Sequence, residues 1–549
     1  MTRVLPGVYV EFHDYSTLPE GDTNLAVGYT LASPRGPVGK AELVTSPTDF
    51  LSKFTLTGSP TIKDDKTFWS ILQVLKYTNQ VYISRVAKDV KFGGVKVKAN
   101  AIEALTAGLE DPQAYDFSKD ADTLFLLTGI DGGKYNNNIG VEIVSYSDKP
   151  ELIVDQFESQ AVMRANKPFI IRVYDCTNEN EPALLEEFMV SLLDNAKAFD
   201  GSPLYIETVL NNSAYIQCVL PVDVTVTEAP KSTTERVKMG GGAEKALNEL
   251  TAADAVAALA VFEDKTIPIS LMGNGTGTIY ENADYQQALV ELAVNRQDFL
   301  AFLNSRLTDE KATLNSQKAK NIIDYKKGAG EDGLGSTSWN ACMYAPHVNY
   351  SDVFNSRKIK LGADSTAISG WLKVILNQGY PYAFAGPADG LVTGVTTDWK
   401  IGDTSGEATN LNDASINYVA YDAKVGRYYM QCQNTLQIAN SSLRNIGAVL
   451  NVLDIKETFM TYFKEYLQKP ITPRLREEIW NKGNDYLKDD ILGMGRCVNY
   501  TFVDATTEAD LADNTLRYVL TIALTPYAQK IKLIMNIVNA NYDFTISQG

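Results

Sequence analysis

Only two histidines, His13 and His347, stand among the 549 residues. Any Ser-His-Asp relay would have to be built on one of them. His347, in Tyr344-Ala345-Pro346-His347, has no G-x-S-x-G elbow to work with. His13 lies on a polar arm, and both read as structural. Cys176, Cys218, Cys342, Cys432 and Cys497 are far apart with no C-x-x-C pair. That spacing fits a reducing compartment and argues against a disulfide framework or a zinc site. Gly273-Asn274-Gly275-Thr276-Gly277 follows an apolar segment and precedes a helical pattern, the setting of a phosphate-cradling loop. Its spacing is not G-x-G-x-x-G, however, and no Lys-Ser/Thr pair follows, so a strand-to-helix turn is the better reading. Met239-Gly240-Gly241-Gly242 reads as an interdomain turn. Carboxylates are plentiful in 101–235, but sequence does not say which converge, and a glycosidase pair is only a weak reading. No catalytic residue, cofactor or metal is expected.

The elements that would position any site are of three kinds. Val8, Val10 and Phe12 alternate with Tyr9 and Glu11, which predicts a strand. A polar leash, Asp14 to Asn24, follows it, so this strand must pair with something distant or with another molecule. Leu25–Leu31 and Val81–Val86 read as strands about a helix over 66–78, a βαβ unit. Residues 96–235 carry short strands at Leu124–Leu127, Gly140–Ser145, Phe169–Tyr174, Leu204–Val209 and Tyr215–Val219, which predicts a β-sandwich-type domain. From 236 the pattern is α/β: apolar segments at Ala253–Leu259 and Ile267–Met272, a long helix over 282–307, and a Gly-rich polar loop over 325–337. Ile446, Val449, Leu450 and Leu453 share a helical face, and Thr472-Pro473 opens another helix with a cap and a first-turn proline. Leu516, Tyr518, Leu520, Ile522 and Leu524 alternate as a strand, as do Ile531, Leu533, Met535 and Ile537. A short last strand, Tyr542-Asp543-Phe544-Thr545-Ile546, follows Asn539-Ala540-Asn541. The chain ends as it begins, with a short strand on a polar hinge.

The charge is uneven. The net −17 divides into +3 for residues 1–100, −15 for 101–235 and −5 for 236–549. An acidic total argues against general nucleic-acid binding, which needs basic charge to displace counterions. The acidic block reads as a separate, solvent-facing unit. No signal peptide and no membrane span are expected.

Several segments, in order along the chain, resemble the contractile tail sheath family of myovirus-type bacteriophages, tailocins and related injection machines. They are Pro6-Gly7-Val8-Tyr9-Val10-Glu11, Arg35-Gly36-Pro37 with Val44-Thr45-Ser46 and Asp49-Phe50, and Lys134-Tyr135-Asn136-Asn137-Asn138-Ile139. Arg296-Gln297-Asp298-Phe299, Pro381 to Gly390, Leu411-Asn412 with Ser415-Ile416-Asn417, and Leu524 to Ile531 complete the series. The family's "R-T-L" is Asn434-Thr435-Leu436 here, and Gln529 stands where an acid is usual. The resemblance implies an α+β multidomain chain. Its parts would be an N-terminal arm (1–23), an α/β segment (24–95), an acidic β-sandwich-type outer domain (96–235) and a subtilisin-like, non-catalytic α/β domain (236–430). A tube-facing α+β domain (431–540) and a C-terminal arm (541–549) would follow. It implies that Val8, Tyr9, Val10, Glu11 and Phe12, and Tyr542, Asp543, Phe544, Thr545 and Ile546, are donated to neighbouring subunits. The acceptor strands would be Leu516, Tyr518, Leu520 and Ile522, and Ile531, Leu533, Met535 and Ile537. Implied partners are further copies of the chain in a helical homopolymer, a tail tube protein, a baseplate and a tail terminator, in a virion tail assembled in the host cytoplasm. No direct nucleic-acid binding or membrane insertion is implied. A tail tube or baseplate component, and an α/β hydrolase-like enzyme, are the alternatives.

Overall fold

A computed structural model describes residues 25–56, 58–120, 122–221, 228–329, 332–402 and 405–528. The donor segments 8–12 and 542–546, and the strand expected over 531–537, lie outside these residues. The chain divides into two compact units, Met1–Leu453 and Asp454–Gly549.

The first unit is built on a nine-stranded sheet. Its strands are β1 (Val27–Ala32), β2 (Ala41–Val44), β3 (Val81–Val86), β4 (Leu271–Gly273), β5 (Leu300–Asn304), β6 (Ala341–Ala345), β7 (Leu391–Val392), β8 (Asn417–Asp422) and β9 (Arg427–Met430). The spatial order is β7-β9-β8-β6-β5-β4-β1-β3-β2. The six strands from β8 to β3 run parallel, and β2, β7 and β9 pair antiparallel at the margins. Residues 25–86 and 271–430 therefore share one sheet.

Period-two alternation divides the core between the two faces of that sheet. Val27, Tyr29 and Leu31 of β1, Leu300 and Phe302 of β5, and Cys342 and Tyr344 of β6 face one side. There they meet α1 (Thr67–Val74) and α5 (Asp364–Gln378) through Phe68, Trp69, Trp371 and Leu372. Ala32, Ala301, Leu303, Ala341 and Met343 face the other side. There α2 (Ala252–Leu259), α3 (Ala283–Arg296) and α4 (Asn315–Lys327) cover them. Burial on both faces is why these strands read as unbroken apolar runs.

Three expectations are corrected. The helix expected over 282–307 stops at Arg296. Gln297 is left-handed (φ 57°), and 300–304 is β5. The Arg296 guanidinium ends the helix by donating to the carbonyls of Phe262, Asp264 and Ile267 (2.5, 3.0 and 2.9 Å). Of the strand expected over 204–209, residues 206–209 belong instead to a helix, Ile206–Leu210. The apolar segment Ala253–Leu259, to which the sequence assigns neither helix nor strand, lies in α2, opened by a Thr251/Asp254 capping box. The loop expected from 325 begins later, because α4 runs to Lys327 with Tyr325 and Lys326 buried.

Between Gly94 and Lys238 two four-stranded antiparallel sheets face each other. One has the order 216–219, 123–129, 94–98, 102–104, and the other 237–238, 139–145, 169–175, 183–190. Val95, Val97, Phe125 and Leu127 of the first share one core with Val141, Ile143, Ile171 and Val173 of the second. A Gly94–Gly240 bridge closes the insertion at its neck. Two arginines tie it to the nine-stranded sheet. Arg85 on β3 donates to Ser33 O and Gly36 O (3.0 and 2.9 Å) and, across the junction, to Gly132 O (2.8 Å) and Glu244. Arg35 lies against the rings of Tyr215 and Tyr135 (4.2 and 5.6 Å) and donates to Ser52 O (3.0 Å) and Ala214 O. A guanidinium suits this task because its forked donors satisfy several carbonyls at once.

The second unit holds helix α7 (Pro473–Tyr486) and the antiparallel pair β10 (Cys497–Asp504) and β11 (Tyr518–Leu524). Helix α6 (Ile446–Lys464) contains the division between the units. Thr472 caps α7 through Leu475 N (3.1 Å), with Pro473 in the first turn. Phe459, Tyr486, Leu487, Ile491, Cys497 and Phe502 form this unit's core.

Candidate functional site

The residues that could do chemistry gather at the C-terminal ends of β4, β5 and β6. His347 follows β6 and is 3% exposed. Its Nδ1 is 2.7 Å from Glu310 Oε1 and its Nε2 is 3.0 Å from Glu281 Oε1. Burial alone would lower its pKa, but Glu310 and Glu281 outweigh burial and push it up to about 10. The ring is thus an imidazolium with both N–H groups committed, and at neutral pH it has no lone pair with which to act as a base. Burial pushes Glu281 upward, and the His347 contact, together with the backbone N–H groups of Leu307 and Gly277, more than reverses this. Sequence could not find these partners, which lie 66 and 37 residues away.

The Gly273–Gly277 loop does sit at the end of a parallel strand, where α/β folds bind ligands. Its donors are already taken by the chain itself. Gly275 N donates to Asp364 Oδ2 (3.1 Å), Thr276 N to Thr67 Oγ1 (3.0 Å) and Gly277 N to Glu281 Oε1 (3.2 Å). Asp364 also accepts from Asn304 Nδ2 (2.9 Å). Burial raises its pKa to about 6, against the pull of these hydrogen bonds. The sheet order reverses between β1 and β4, and tyrosines fill that crevice: Tyr280 OH accepts from Ala32 N (2.8 Å) and Tyr285 OH meets Thr30 Oγ1 (2.7 Å). Built-in carboxylates and phenols stand where an anion or substrate would go. Among the described residues no group of His, Cys, Asp and Glu is placed to hold a metal ion, and no helix is long and apolar enough to cross a membrane.

Motif residues far apart in sequence meet here as well. Asn417 Oδ1 accepts from Asn434 N (2.6 Å), Asn417 Nδ2 donates to Asn434 O (2.7 Å), and Asn434 Nδ2 donates to Asn412 Oδ1 (3.0 Å). Asparagine at 434 thus makes its own contact where arginine is usual.

The second unit offers a different kind of site, a sheet edge that is unpaired among the described residues. Strands β10 and β11 pair from Asp504↔Tyr518 through Asn499↔Ala523. Ala505 N donates to Arg517 O (2.8 Å), which sets the alternation. Pairs 503/519 and 501/521 exchange hydrogen bonds, while the backbone groups of Phe502, Tyr518, Leu520 and Ile522 turn outward. On the β10 side, Trp480 Nε1 of α7 donates to Phe502 O (2.9 Å), and Arg476 Nε bonds Asp504 Oδ2 (2.7 Å). On the β11 side, the N–H and C=O groups of Tyr518, Leu520 and Ile522 have no partner among the described residues. Their side chains are half-buried on one face, and Val519, Thr521 and Ala523 are exposed on the other. Three of the four acceptor residues expected in this stretch thus lie on β11 with outward backbone groups. Leu516 lies two residues before the strand. Tyr518 is fixed further by its hydroxyl, which donates to Arg476 O (3.0 Å).

Gly483 in mid-α7 allows the tight packing behind this sheet. A Cβ there would lie 2.7 Å from the Phe502 ring and 2.9 Å from the Phe459 ring. Sequence reasoning passed over this residue, since a helical glycine has no visible purpose until the rings it admits are known.

No protein-family model and no curated protein matches the sequence. By fold the chain is similar to the crystal structure of a sheath tail protein from Listeria innocua, at 10% identity and a TM-score of 0.54, covering 93% of this chain and 97% of that one. It is also similar to a chain in the 6-fold symmetrised cryo-EM structure of the anti-feeding prophage baseplate, at 10% identity and a TM-score of 0.52, covering 98% and 99%. The mixed α+β architecture, with its several sheets, is similar in fold to that sheath tail protein.

Proposed function

We propose that this chain is the structural and mechanical subunit of a phage contractile tail sheath. The observation that carries the reading is a fold shared with a sheath tail protein over 93% of the chain and 97% of its counterpart. The N-terminal strand 8–12 and the C-terminal strand 542–546 act as donors. The sheet around β11 accepts, because an unpaired edge exposes N–H and C=O groups that seek a strand. In such β-augmentation main-chain hydrogen bonds supply affinity and alternate side chains supply specificity. Donor and acceptor surfaces differ, so the contact is heterologous and propagates as stacked rings or a helix.

The subunit polymerises around a tail tube in a metastable extended state, meets the baseplate at one end and a terminator at the other, and contracts when the baseplate triggers. Added burial between subunits, rather than nucleotide hydrolysis, drives the tube through the host envelope. The α/β region expected over 236–430 is the subtilisin-like body without its catalysis, a reading supported by Glu310 and Glu281, which occupy both ring nitrogens of His347. The sandwich at 96–235 is the outer domain, and its acidic surface limits side-by-side bundling. The test is electron microscopy of the purified protein and of chains lacking residues 1–13 or 541–549. The full chain forms wide hollow tubes, and each deletion leaves soluble subunits. Normal tubes from either deletion rule out strand exchange.

A further inference from the structure

A groove of about 430 Å³ lies between α1, α5 and the 380–394 segment. Its lining includes the rings of Tyr77, Tyr350, Tyr382 and Phe384 and two cations, Lys76 and Lys373. Lys76 donates to Tyr350 OH (2.9 Å). Lys373 is exposed and has no hydrogen-bond or ion-pair partner among the described residues. Asp389 is the one acid of the lining. The groove therefore presents apolar rings with a net positive charge.

The chain enters the described structure beside this groove. Leu25 O accepts from Thr78 Oγ1 (3.2 Å), and Val27 N donates to Gln80 O (3.0 Å). Thr78 directly follows Lys76 and Tyr77. The residues ahead of Leu25 run Asp14-Tyr15-Ser16-Thr17-Leu18-Pro19-Glu20-Gly21-Asp22-Thr23-Asn24, with three acids and no Lys or Arg. Residues 18–24 alone can span roughly 23 Å when extended. Lys76 and Tyr77 of the lining directly precede Thr78, so the leash meets Leu25 next to the groove.

We propose that this groove is the docking site of the chain's own acidic leash, residues 14–24, with Glu20 and Asp22 on Lys76 and Lys373 and Leu18-Pro19 against the aromatic wall. The inference does not rest on the sheath reading, because it concerns the unassembled chain.

The test mixes 14N- and 15N-labelled full-length protein at a dilution that keeps it monomeric. Carbodiimide then joins adjacent amines and carboxylates directly, and mass spectrometry locates the links. Lys373 or Lys76 joined to Glu20 or Asp22, with both peptides carrying one isotope, is the expected result. In parallel, a glutamyl endopeptidase cleaves after Glu20. Cleavage is expected to be about fivefold faster in the K76E/K373E variant and in parent protein at high salt, since exposed ion pairs are modest and screened. Mixed-isotope links would assign the groove to a second copy and overturn the proposal. Absence of links, or equal cleavage of parent and variant, would overturn it too. Tube formation is scored separately, so failure of either reading leaves the other standing.

Discussion

A proline placed on β11 separates the pairing of this strand with β10 from any pairing on its outer edge. The N–H of Leu520 points outward, so Leu520→Pro leaves every hydrogen bond to β10 intact. Its cost to the unassembled chain is the loss of part of a half-buried side chain, about 1 kcal/mol. For a strand added at that edge the cost is larger. One hydrogen bond is lost and the incoming carbonyl is left unpaired, together about 3 kcal/mol. At 1.4 kcal/mol per tenfold, the concentration needed for assembly rises roughly 100-fold. Thr521→Pro is the control. Its N–H faces Thr501 across the pair, so this substitution breaks the β10–β11 ladder itself and destabilises the second unit by about 3 kcal/mol. Sedimentation of polymer against protein concentration, with urea unfolding of both variants, reads the two costs. Assembly of Leu520→Pro within threefold of the parent would refute an edge role for β11. Equal unfolding of the two variants would refute the assigned alternation.

Glu310→Gln leaves His347 buried against one carboxylate and should cost about 3 kcal/mol at pH 7 by thermal unfolding. The His347 pKa is raised from 6.5 to about 10 on folding, so its contribution is full below pH 6.5 and is lost as pH rises through 10. Parent stability should therefore fall between pH 7 and 10, and more gently in Glu310→Gln. Gly483→Ala gains about 1 kcal/mol of helix propensity but forces the Phe459 and Phe502 rings aside, and should be net destabilising by about 1–2 kcal/mol in urea unfolding. Replacing several acids in 101–235 by their amides should leave tubes intact by electron microscopy and make them bundle.

Periodicity made the strands legible where one face is half-exposed, as in the alternation from Tyr518 to Leu524. It misled where both faces are buried. Phe299, Leu300 and Leu303 continue the helical spacing of α3, yet Leu300 and Leu303 belong to a strand buried on both sides, and apolar runs of this length fit either pattern. Short polar punctuation was reliable, as at Thr472-Pro473. Long-range polar contacts were not legible at all. Nothing near His347 in sequence announces Glu281 and Glu310, and nothing near Gly275 announces Asp364. The quoted motifs gave positions without reasons. Arg35 turns out to clamp two tyrosine rings, and Arg296 to gather three carbonyls.

Trp480 makes the two margins of one small sheet unlike. Its indole closes β10 at Phe502 from within the unit, while β11 keeps its outward groups toward whatever lies beside it. Under the proposed strand addition, growth has a direction, because the β11 margin keeps outward groups with no partner among the described residues while Trp480 occupies Phe502 O on the other margin. Any array that propagates through such a sheet inherits that direction, and its two ends differ chemically: one offers open edges, the other strands still to be placed. An initiator that matches one end cannot stand in for a cap that matches the other.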